Sequence, residues 1–320
     1  MSFSSENADR SWVAQRLPSK DDQAGLLVLP GLLTYGIFML YPIMYLIFLS
    51  FTNAGGAEDL IRGTYDFIAL DNYGRLVQDS QFWTSMGVTW LFVFISVVLK
   101  IIFSIALALV FTHDRVRGKR YMRALAIIPL GLPPVFTITV WRQMFSPARF
   151  GIANEVWINI GNALGQNPEP IGWFFSRWMA FASYVVTELW LAYAFMLIII
   201  VSALQDVSSE LHDAAKVDGA GYLHRFVHVT LPAIKRPVWF ASILTGATSF
   251  QQFLVPFIFN NGGPSRYNEF ILLYGYREAF QSPPRMGIGA AIMVIALIFI
   301  GIFMWINVRK GRLAEGLSEQ

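Results

Sequence analysis

The chain has 320 residues, of which 55% are hydrophobic and only 14% charged, and its mean hydropathy is +0.49. Soluble domains carry about a quarter charged residues, so this composition excludes a soluble secreted enzyme, a nucleic-acid binder and a disordered chain. The net charge of +3 reflects asymmetry between loops rather than a general affinity for phosphate, and the absence of cysteine excludes disulfides, thiolate metal sites and a cysteine nucleophile.

A hydrocarbon core of about 30 Å needs roughly 20 apolar helical residues. Six such runs occur, at 24–52, 85–112, 122–145, 179–204, 238–259 and 286–306. They predict an all-α, polytopic membrane protein with six transmembrane helices. Only Lys100, Arg123, Arg142 and Glu188 place charge inside these runs. The first run is longer than the apolar part of a signal peptide and follows a polar stretch, 1–23, with four acids. It is expected to stay in the mature chain. Lys100 lies mid-span in the second run, where a charge needs a partner or a path to the interface. Pro133-Pro134 should kink the third, since neither proline donates an amide bond. Beyond it, Ile152, Val156, Ile160 and Leu164 recur every four residues beside Trp157. That pattern predicts a short interfacial helix over 151–164, either a packed loop helix or a docking surface. In the fourth run Glu188 needs a vestibule or a partner helix, and Lys100 is one candidate.

Lys and Arg between the runs fall into two alternating sets. Segments 1–23, 113–121, 205–237 and 307–320 carry 14, whereas 53–84, 146–178 and 260–285 carry 7. Both termini are therefore expected to be cytoplasmic. The chain is expected to divide into a cytoplasmic tail, 1–23; a first transmembrane helix with its outer loop, 24–84; a core of five transmembrane helices, 85–306, that includes the loop 205–237; and a cytoplasmic tail, 307–320.

The segment 205–237 predicts two short helices outside the membrane. Ser208 or Ser209 caps the first, with Glu210 and Asp213 in its opening turns. Gly219 suits a left-handed turn. Tyr222, Phe226 and Val229 give the second helix an apolar face before Leu231-Pro232 is expected to end it.

Asp213-Ala214-Ala215, Asp218-Gly219-Ala220, Phe226 and Leu231-Pro232 resemble the EAA loop of permease subunits of binding-protein-dependent ABC importers. Asp213 stands where that loop usually has glutamate. The resemblance is strongest to carbohydrate permeases of the maltose and glycerol-phosphate type. It extends through Leu29-Pro30, Tyr41-Pro42, Asn72-Tyr73, Trp141, Asn154, Gly262-Gly263-Pro264 and Tyr276-Arg277. Ala194 replaces a common proline, and Asn268-Glu269 replaces a usual threonine. The resemblance implies a bacterial or archaeal inner-membrane permease that pairs with a second, homologous permease. Two ATPase subunits, holding ATP and Mg, would drive it, and an external solute-binding protein would deliver substrate. No cofactor is expected on this chain, which has no Gly-x-x-x-x-Gly-Lys-Ser/Thr loop. The ATPase-coupling residues implied are Glu210, Asp213, Ala214, Ala215, Asp218, Gly219, Ala220, Phe226 and Pro232. Asp213 and Asp218 either meet basic groups on a partner or are merely solvated and capping.

In the fifth run Thr245, Thr248, Ser249 and Gln252 share one helical face. Hydroxyls and an amide suit sugar hydroxyls. By alignment on the Gly-Gly-Pro, the segment matches the sugar-holding stretch of maltose-type permeases; hydrogen bonding between helices is the alternative. Trp190, Leu191, Ala192 and Phe195 are a second candidate part of the substrate path, by the same kind of match, or else packing residues. The expected cargo is an oligosaccharide, with glycerol phosphate or a polyol as the alternative. His224 and His228 have ligand spacing but no His-Glu-x-x-His context, and no metal site is expected. No run holds a histidine or a Gly-x-Ser-x-Gly, which argues against an intramembrane hydrolase. A gradient-driven transporter, with Lys100 and Glu188 as a charge relay, is the competitor from another class.

Overall fold

The computed structural model describes residues 20–113, 115–281 and 283–316, and side chains only within 27–309. Much of the two predicted tails lies outside the described residues. Among the described residues four helices are long and apolar enough to cross a bilayer, over Leu27–Ser50, Ser80–Thr112, Arg177–Gln205 and Met286–Arg309. Two bent pairs account for the other predicted runs.

The first span comprises α1 (Lys20–Tyr35), a π turn over Gly36–Leu40 and α2 (Tyr41–Ser50). Pro42 explains the turn. A proline in a regular helix presses its ring on the carbonyl four residues back, and the wider turn lets the Tyr41 amide bond the Gly36 carbonyl instead. Most of this span is exposed, and its last residues, Leu49 and Ser50, are buried. Two short helices follow, α3 (Ala57–Arg62) and α4 (Asp71–Gln78). Asn72 on α4 donates from Nδ2 to the carbonyls of Ser50 (3.0 Å) and Thr52 (2.7 Å), so the chain leaving the first span is held without regular structure.

The second span, α5 (Ser80–Thr112), starts four residues before Thr84, the last residue of the predicted outer segment. Asp79 caps it, its Oδ1 accepting the Gln81 amide at 2.8 Å. At the other end Arg123 donates to the Phe111 carbonyl at 2.6 Å, a cation at the negative end of a helix. The third predicted run is broken. Lys119–Ala126 (α6) and the 3-10 turn Ile128–Gly131 meet α7 (Pro134–Met144) at 101°. Pro129, Pro133 and Pro134 remove three amide donors within six residues, so the expected kink becomes a corner.

α8 (Ile152–Ala163) confirms the predicted short helix. Its buried residues are Asn154, Ile158 and Gly161, while Ile152, Val156, Ile160 and Leu164 stay exposed. Asn154 is the anchor: its Oδ1 accepts the Ile171 amide (2.9 Å) and Trp173 Nε1 (3.0 Å).

The fourth span, α9 (Arg177–Gln205), packs along α5. α10 (Ser209–Val217) follows, and then α11 (Tyr222–Arg225), a π turn over Phe226–Thr230 and α12 (Leu231–Phe250) form one continuous rod. This corrects the expectation that Leu231-Pro232 ends the second loop helix. The Leu231 amide bonds the Phe226 carbonyl five residues back, which makes room for Pro232. The fifth run thus begins well before residue 238, and a 43° bend joins it to α13 (Leu254–Asn260). α14 (Ile271–Phe280) and the final helix α15 (Met286–Gly316) approach closely at Gly275, Ala279 and Gly289, where a Cβ on Gly289 would lie 2.6 Å from that of Ala279.

Candidate functional site

Two polar constellations stand out, one outside the apolar spans and one within them. The first is the turn after α10. Ser208 caps this helix, its Oγ accepting the Glu210 amide at 3.2 Å. The far end is closed by paired bonds: Ala220 N to Ala215 O (2.9 Å) and Gly219 N to Lys216 O (3.0 Å). That is a Schellman motif, and it requires the left-handed residue that Gly219 supplies at φ +77°. Ala214 and Asp218 are exposed and Ala215 and Ala220 half-buried, so the tip is a surface of small side chains. Asp213 is exposed and paired with Lys216 on its own helix at 2.6 Å. The hydrogen bond from Lys216, and then its charge, hold the Asp213 carboxyl below the usual range. Glu210 is exposed and Phe226 half-buried; Pro232 is exposed in the first turn of α12. His224 and His228 stack at 4.0 Å on the neighbouring rod. Among the described residues no group of three potential ligands could hold a metal.

The second constellation is buried where α5, α9 and α12 meet. Lys100 Nζ donates to Glu188 Oε1 at 2.6 Å and to Ser249 Oγ at 2.8 Å. Ser249 Oγ donates in turn to Glu188 Oε1 (3.1 Å), and Gln252 Nε2 donates to Glu188 Oε2 (2.7 Å). Lys100 is 0% and Glu188 3% exposed, so the charges are compensated inside the protein. Of the predicted stripe, Ser249 and Gln252 join this network, Thr245 is buried and Thr248 is exposed, donating to the Thr245 carbonyl at 3.0 Å. Trp190 packs beside Trp141 with ring centres 5.9 Å apart. Leu191 and Ala192 are half-buried, and Phe195 is exposed.

A third cluster escaped sequence reasoning. Glu269, fully buried, pairs with Arg266 and Arg277 at 2.7 Å each and accepts from Gln81 Nε2 at 3.0 Å. Burial pushes its carboxyl up from the usual range, against the pull of the two guanidiniums. Asn268-Glu269 drew notice only as a departure from a motif; Gln81, 188 positions from Glu269, left no local signal.

Residues 101–309 match the family described as binding-protein-dependent transport system inner membrane component. The chain is 28% identical over 287 residues to the trehalose/maltose transport system permease protein MalF of Thermococcus litoralis, covering 90% of this chain and 92% of that protein. It is 29% identical over 272 residues to the sulfoquinovosyl glycerol transport system permease protein SmoG of Agrobacterium fabrum, covering 85% and 84%. A chain of a bacterial ABC transporter involved in the import of the acidic polysaccharide alginate shares the fold, with a TM-score of 0.75, 19% identity and coverage of 95% of this chain and 98% of that one. The chain, a multi-pass membrane protein by its spans, belongs to the family of inner membrane components of binding-protein-dependent transport systems.

Proposed function

We propose that this chain is the permease subunit of an importer for a sugar, an oligosaccharide above all. It would work beside a second permease of the same kind, with two ATPase subunits that bind ATP and Mg and a solute-binding protein on the outer side. The observation that carries the cargo class is the extended similarity to permeases named for trehalose/maltose and for sulfoquinovosyl glycerol transport, over 90% and 85% of this chain. Ser249 and Gln252 are engaged by the Lys100–Glu188 pair, so neither of those two charges is free to meet a charged group on the solute, and contact there falls to hydroxyls, amides and aromatic rings. The same pairing disfavours a charge relay, for which one of the two would have to exchange its proton with water.

In this reading α10 and its Gly219 turn form the knob that seats on an ATPase, with Ala214, Ala215 and Ala220 permitting close approach. The continuous rod from Tyr222 to Phe250 supports a stiff linkage, since only the short turn 218–221 separates α10 from a helix that runs on into α12. Gly219→Val places a β-branched residue at φ +77°, a strain of about 1–2 kcal/mol or more, although its Cβ would meet nothing within 4 Å. Reconstituted with its partners, this variant should insert normally yet lose sugar-stimulated ATP hydrolysis. Normal stimulation would overturn the coupling role, and uptake by the chain alone that collapses with an uncoupler would overturn the importer reading.

A further inference from the structure

A cavity of about 710 Å³ lies between α10, the start of the α11–α12 rod and the ends of α5 and α9. Its lining is mixed. Leu109, Leu204 and Val207, where the two spans end, and Phe226 on the rod are its apolar residues. The same cavity is also lined by Arg115, Lys216 and Arg225, and by His113 and His212. Among the described residues the one acid in the lining is Asp213, already held by Lys216 at 2.6 Å. Arg115 and Arg225 have no carboxylate within ion-pair distance among the described residues, and the Nε of Arg225 is buried without a hydrogen-bond partner. Both arginines thus line a half-apolar cavity without an ion pair of their own among the described residues; Arg225 feels only the field of Asp213, whose carboxylate Lys216 already holds.

That arrangement calls for an anion. Guanidinium forks match the oxygens of a phosphate, and a desolvated donor such as Arg225 Nε gains most from a charged acceptor. Basic pockets between helix ends at a membrane surface suit phospholipid headgroups, and the cavity's apolar residues adjoin the spans, where acyl chains would lie. We propose that this cavity binds a phosphate group, carried by an anionic phospholipid whose chains enter along the ends of α5 and α9. Bound there, the phosphate bridges Arg115, beyond the end of α5, to Arg225 on the rod, tying the α10 turn to the span it must move with. The proposal needs only that the chain spans a bilayer, and it stands whether or not α10 meets an ATPase.

The full chain, purified in neutral detergent, is incubated with phosphatidylglycerol, phosphatidylcholine or inorganic phosphate and analysed by native mass spectrometry. Phosphatidylglycerol should be retained and phosphatidylcholine lost. Retention should fall about tenfold or more in the Arg115→Gln, Arg225→Gln double variant, and survive in the Arg115→Lys, Arg225→Lys pair. Thermal transitions of both pairs establish that they fold. Excess inorganic phosphate should fail to displace the lipid. If it does displace it and binds itself, the cavity takes free phosphate and the lipid assignment is overturned. Equal retention of both lipids, or retention of phosphatidylglycerol by the folded glutamine pair, overturns the site altogether.

Discussion

Lys100 and Glu188 stand 88 positions apart in the chain and 2.6 Å apart in the fold. Each was legible alone, because an ionised group in an apolar run is too costly to leave unpaired. Their meeting was not, since it depends on how α5 and α9 are set side by side. The same limit explains Ser249 and Gln252: spacing places them on one face but does not say whether that face meets solute or a carboxylate. Removing one member of a buried pair strands the other. Lys100→Met should therefore lower stability in detergent by about 3–5 kcal/mol, while Lys100→Met combined with Glu188→Leu recovers most of the loss. Chemical unfolding of the three proteins checks this; a double variant as weak as the single one would mean that the pair does more than cancel its own charge.

At the scale of elements, the apolar runs were legible because span length follows from bilayer thickness. The errors cluster at prolines. Leu231-Pro232 carries the ordinary signature of a helix end, yet a π turn accommodates the ring, and the same device recurs before Pro42. Pro133-Pro134, which predicted a kink, became part of a 101° corner because Pro129 and Gly131 weaken the preceding turn as well. Glycines mark where elements touch. A Cβ on Gly287 would sit 2.1 Å from the Thr52 carbonyl, a backbone atom that cannot swing aside. Gly287→Ala should destabilise the contact between the end of the first span and α15 by roughly 1–3 kcal/mol. Gly301→Ala, on the same helix with nothing within 4 Å, should be neutral or stabilising by up to about 1 kcal/mol. Thermal unfolding of the two variants side by side separates close approach from a general intolerance of α15 to change.

For the whole molecule, the lysine and arginine count predicts that α8 lies outside the cell and the α10 turn inside. The absence of cysteine makes this directly measurable, since an introduced thiol is unique. In intact cells Gln166→Cys should react with an impermeant thiol reagent. Val217→Cys, 88% exposed at the far end of α10, should react only after the membrane is opened. The reverse pattern would invert the topology and move the proposed coupling surface to the wrong side.

Among the described side chains of the first span, only Leu49 and Ser50 at its C-terminal end are buried. Leu49 and its neighbours rest on Ala290 of α15, and the amides of Met286 and Gly287 bond the carbonyls of Gly55 and Ala54. These segments lie some 230 positions apart in sequence. During synthesis α1 and α2 therefore reach the bilayer long before the helix they rest on exists. Until then lipid must solvate nearly the whole span, which matches the apolar residues around its circumference. The order in which the chain is made and the order in which this corner closes run opposite to each other, so the bundle is completed only when its last helix enters.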